Sequence, residues 1–78
     1  MANRDMERKH FEEAARHVAE LEGKVTDQES MIAKLDLGGH ATTEAYRLLK
    51  NFRRSLRQAR VHERLILERL SGARPTSA

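Results

Sequence analysis

The chain has 78 residues and a net charge of +3, with 35% of them charged, 4% aromatic, four glycines, one proline and no cysteine. That length makes one domain with little room for a core, and the missing thiols exclude disulfides and thiolate-bound zinc as reinforcement. No apolar run is long enough to span a membrane, and the polar start Met1-Ala2-Asn3-Arg4-Asp5 leads into none, so a cytoplasmic protein without a signal peptide is expected.

The first element is a helix expected over about 4–36. Asn3 is its candidate N-cap, and Asp5 and Glu7 fall in a first turn that favours negative charge. From Phe11 onward the residues Phe11, Ala14, Val18, Leu21, Val25, Gln28, Ile32 and Leu35 follow alternating steps of three and four, and seven of the eight are apolar. A strict seven-residue repeat of this kind is a coiled-coil seam. Gly23 lies off that seam, on the outer face, where it lowers local helix stability by roughly 1 kcal/mol.

A turn over about 37–42 follows. Gly38 or Gly39 supplies the left-handed residue that stops the first helix, and Thr42 or Thr43 can cap the next, with Glu44 in its first turn. The second helix, over about 43–71, repeats the seam as Ala45, Leu49, Phe52, Leu56, Ala59, Glu63, Ile66 and Leu70, again with seven of eight apolar. Ser71-Gly72 ends it, and 73–78, with Pro75, reads as a disordered tail.

The pattern predicts an all-α fold, an antiparallel two-helix hairpin built like a coiled coil. Charge supports the pairing, since residues 1–41 hold 6 Lys+Arg against 9 Asp+Glu (net −3) and residues 42–78 hold 9 against 3 (net +6). Folding at the glycines sets Ile32 against Leu49, Gln28 against Phe52, Val25 against Leu56 and Leu21 against Ala59. It also brings Glu22 to Arg60 and Glu29 to Arg53 on one flank. Exposed pairs like these are worth about 0.2–1 kcal/mol each, so they select register more than they stabilise.

Two helices of about 45 Å leave part of the seam wet. The other flank, with His10, His17, Lys24 and Met31 facing Arg69, His62, Ser55 and Leu48, and Leu65 nearby, lacks acidic residues. We expect two hairpins to meet there as a homodimeric four-helix bundle, with His17, Met31, Leu48, Ser55, His62 and Leu65 at the dimer face. The side carrying Ala15, Ala19, Ala33 and Leu67 is the competing choice.

The run His17-Val18-Ala19-Glu20, then Gln28, Met31-Ile32, Leu35, Gly39-His40-Ala41-Thr42, Leu48-Leu49, Ser55-Leu56, Arg60-Val61-His62 and Ile66-Leu67 resembles a group of short bacterial helical-hairpin proteins with a Gly-His-x-Thr turn. The resemblance covers nearly the whole chain and implies the hairpin. That group has no established function, so it assigns no functional residue, and Ala41 stands where an acidic residue is expected.

His17 and His62 fall opposite each other with Glu63 beside them, and imidazoles and carboxylates on facing helices can hold a transition metal. Paired Glu-x-x-His motifs are absent. The expected arrangement is therefore a polar layer with Glu63 bonded to Arg16 or a histidine, and no metal or cofactor is assigned. The dipeptide His62-Glu63 looks like the phosphoacceptor segment of two-component kinases, but there the histidine lies on the first helix and an ATP-binding domain follows. No nucleophile with its base and no phosphate-cradling glycine loop points to an enzyme.

Arg47, Lys50, Arg54, Arg57 and Arg64 form a row on the outer face of the second helix, with Arg53 and Arg60 beside it. The expected role of this row is an interaction face for an acidic protein partner. Nucleic-acid association through phosphates is the alternative, weakened by the lack of interleaved aromatics. Tyr46 is expected to pack over the loop, and His40 to cap the bend or face solvent.

Overall fold

In the computed structural model, which describes residues 2–72, the chain is an all-α hairpin of α1 (Ala2–Leu37) and α2 (Thr43–Ser71). The tail expected over 73–78 lies outside the described residues. α1 takes in Asn3, which is therefore not an N-cap. Ala2 is itself a good helix former, so the helix runs past the asparagine.

The bend is set by glycine chemistry. Gly39 adopts φ +73, the left-handed conformation that costs glycine nothing, whereas Gly38 does not. That reversal turns two amides back on the end of α1: Gly39 N donates to Asp36 O at 3.0 Å and His40 N to Leu35 O at 2.9 Å, satisfying carbonyls the helix leaves free. The exposed His40 imidazole lies against Gly38, where an added Cβ would sit 2.8 Å from its Cδ2. Thr42 occupies the N-cap position of α2, but at φ −118 and ψ 3 its hydroxyl makes no capping bond. The usual cap is more extended, so this ψ turns the side chain away from the first-turn amides. Tyr46 N donates to Thr42 O at 2.9 Å instead, opening the helical ladder. Gly72, at φ +74, stops α2 and returns its amide to Arg69 O.

All sixteen seam positions are buried or half-buried, and the rows beside them are largely exposed. Val18, Leu21, Leu56 and Ala59 make the central cluster, with Val25 packed against it. Leu49, at 3% exposure, is the most enclosed of the core residues, so a single layer of two helices buries its ridge but has no second layer above it. Gly23 has open space around the position a Cβ would take, which makes it tolerated surface and not a close contact.

Gln28, the polar member of the first seam, is 6% exposed. Its Nε2 donates to the Ala45 carbonyl at 2.9 Å, so the carboxamide reaches one heptad nearer the bend than Phe52, its expected partner. The Phe52 ring instead receives Lys24, whose Nζ lies 5.8 Å from the ring centroid. Lys24, itself exposed, thus reaches from its flank to the edge of the seam. The negative face of the ring attracts the ammonium.

Candidate interaction faces

The two flanks of the seam differ, and the difference follows from their side chains. On one, Arg53 bonds Glu29 at 2.8 Å and Arg60 bonds Glu22 at 2.9 Å, closing that edge with two half-exposed ion pairs. No ion pair closes the other flank among the described residues. There Met31, Leu48 and Leu65 remain 53%, 43% and 51% exposed, and Ser55, His17 and His62 are exposed beside them.

Toward the open end of the hairpin, this second flank forms a groove lined by His10, Glu13, Ala14, His17, His62, Ile66 and Arg69. The structure thus brings His17 and His62 together, as their spacing requires, and adds His10. It also corrects the flank's expected lack of acid, because Glu13 lines the same groove, one short step round α1 from the histidine row. Among the described residues no three His, Asp or Glu side chains are grouped so as to hold a metal ion. Glu63 is half-buried but pairs with neither Arg16 nor a histidine. Its place explains this: it lines a groove on the ion-paired flank with Phe11, Glu22, Arg60 and Arg64, away from the histidines.

The basic row of α2 is not uniform. Arg47 pairs with Glu44 at 3.0 Å, so it is partly neutralised within its own helix. Lys50, Arg54, Arg57 and Arg64 are exposed and make no ion pair among the described residues. The row therefore has four unneutralised cations, with Arg53 and Arg60 committed to α1.

Tyr46 does not pack over the loop. It is 56% exposed and lines a groove with Leu49, Lys50, Arg53 and Arg57, so an aromatic ring does interleave with the basic residues. The reason is periodicity. Tyr46, Lys50, Arg53 and Arg57 follow steps of four, three and four, which places them on one face of α2. That spacing was present in the sequence and identifies the ring once Tyr46 is assigned to the helix. The competing alanine side is mixed: Ala15 is half-buried, while Ala19, Ala33 and Leu67 are exposed.

No described helix is long and apolar enough to cross a membrane. No family model matches the sequence, and neither a curated protein nor a solved structure shows significant similarity to it.

Proposed function

We propose that the chain is a non-enzymatic interaction or adaptor module of the cytoplasm that works as a homodimer. Two hairpins associate through the flank of His17, Met31, Leu48, Ser55, His62 and Leu65 into a four-helix bundle, and the outer face of α2 docks an anionic partner. The observation that carries the dimer is the contrast between the flanks: one is closed by Glu22–Arg60 and Glu29–Arg53, while the other leaves Met31, Leu48 and Leu65 about half exposed.

Area supports the same reading. The accessible surface is 6496 Å², against about 4,900 Å² for a compact monomer of this mass, and the excess, about 1,600 Å² per chain, is more than the roughly 800 Å² that each partner gives to a standard interface. Apolar side chains at the centre of such a contact contribute most, with the histidines forming its polar rim.

Sedimentation equilibrium tests this. The wild-type chain is expected to be dimeric at micromolar concentration, and Met31→Glu with Leu65→Glu to give a monomer that keeps its helix content. A dimer that survives both charges places the interface elsewhere, and a wild-type monomer overturns the proposal.

A further inference from the structure

The recognition face proposed above has a chemistry that selects its partner. Between Glu44 and Glu63, α2 contains no acidic residue and six basic ones, Arg47, Lys50, Arg53, Arg54, Arg57 and Arg60. Three of the six are held by carboxylates, Arg47 by Glu44, Arg53 by Glu29 and Arg60 by Glu22. The free cations Lys50, Arg57 and Arg64 recur every seven residues, so they stand about 10.5 Å apart along one face of the helix. Into this positive track opens a groove of about 440 Å³ lined by the exposed Tyr46 and the buried Leu49 together with Lys50, Arg53 and Arg57.

An acidic helix would use the cations and leave the ring wet. A duplex would present phosphates but keep its bases stacked out of reach. A single strand uses both, since its phosphates can follow the cations while an unstacked base lies on the exposed ring. We propose that the groove of Tyr46, Lys50, Arg53 and Arg57, continued by Arg54 and Arg64, binds single-stranded nucleic acid, with a base stacking on Tyr46 and phosphates on the free cations. The contact carries little sequence preference, because every base offers a π face and the phosphates are the same along any strand.

This inference rests on the recognition-face reading but not on dimerisation, since the groove lies on the ion-paired flank. Four free cations set the expected salt response: the logarithm of affinity should fall with the logarithm of salt at a slope near −0.7 × 4, or about −2.8.

Fluorescence anisotropy of the full chain with a labelled oligothymidine of about 12 nucleotides, a duplex of equal length and a polyglutamate competitor tests it. Single-strand binding at about 50 mM salt is expected to exceed duplex binding and to show that slope. Tyr46→Ala should weaken it about tenfold or more and Tyr46→Phe should preserve it, while Lys50→Glu with Arg57→Glu should abolish it. The Met31→Glu, Leu65→Glu chain, monomeric or not, should still bind. Equal duplex affinity, no effect of Tyr46→Ala on binding, or no binding at all overturns the proposal. Capture of polyglutamate in preference to the oligonucleotide also overturns it, yet leaves the recognition face standing; loss of both probes removes that face as well.

Discussion

Replacing Gln28 by leucine separates two roles for the one polar side chain sealed in the first seam, stabilising the hairpin or fixing its register. Gln28 is 6% exposed and its Nε2 reaches the Ala45 carbonyl at 2.9 Å. That carbonyl also belongs to the α2 ladder, so removing the amide does not orphan it. The loss is one hydrogen bond, about 0.5–1.5 kcal/mol net. Leucine is similar in length, and burying it contributes about 1.5–3 kcal/mol relative to leaving it exposed. The second effect is larger, so Gln28→Leu should raise stability by roughly 1 kcal/mol while loosening register, as apolar replacements of buried polar groups do.

Two companion variants fix the scale. Gln28→Ala loses the bond and leaves a gap, and should cost about 2 kcal/mol. Gln28→Glu sets a carboxylate beside a carbonyl oxygen and should cost about 3 kcal/mol or more at neutral pH. Burial raises the pKa of that carboxyl in the folded state, so the penalty is full above the folded value and gone below about pH 4, where both states are protonated. Urea unfolding followed by far-UV circular dichroism, at several protein concentrations because association couples to folding, reads all three. A loss above about 2 kcal/mol in Gln28→Leu would refute the reasoning and make the amide a structural clamp.

The bend and the central cluster give two further tests. Gly39→Ala should cost about 1–2 kcal/mol from backbone strain alone, because φ is +73 and the new Cβ meets nothing within 4 Å. Gly38→Ala should cost less, since its Cβ crowds only the exposed His40 imidazole, which can swing aside; thermal melts that reverse this order would move the left-handed residue to Gly38. Leu56→Asp should unfold the chain, since Leu56 is 7% exposed in the cluster with Val18, Leu21 and Ala59 and a lone carboxylate there costs about 3 kcal/mol or more. A cooperative melt with wild-type helix content would mean that the seam lies on another face.

The seam, the bend and the two ion pairs were legible because each depends on spacing along the chain. A seven-residue repeat names the buried ridge, a glycine pair names the reversal, and the antiparallel register then fixes which acid meets which arginine; Glu22–Arg60 and Glu29–Arg53 form as that register requires. The direction of a long or polar side chain is not a matter of spacing. Gln28 chose the Ala45 carbonyl over the ring opposite, Lys24 folded onto Phe52, and Glu63 turned from the histidines toward Arg60 and Arg64. Each choice is decided by what lies within reach once both helices are in place.

The candidate surfaces divide the same way. Sequence determined that one flank carries histidines and semi-apolar residues and that α2 has a basic outer row. Only the tertiary arrangement decided that Arg53 and Arg60 are neutralised from the other helix and that Glu13 joins the histidine groove, whereas the outward place of Tyr46 beside Lys50, Arg53 and Arg57 was already in the spacing. Periodicity places a residue on a face of its own helix, but where the two helices meet, its electrostatic and packing state depends on groups contributed by the other helix.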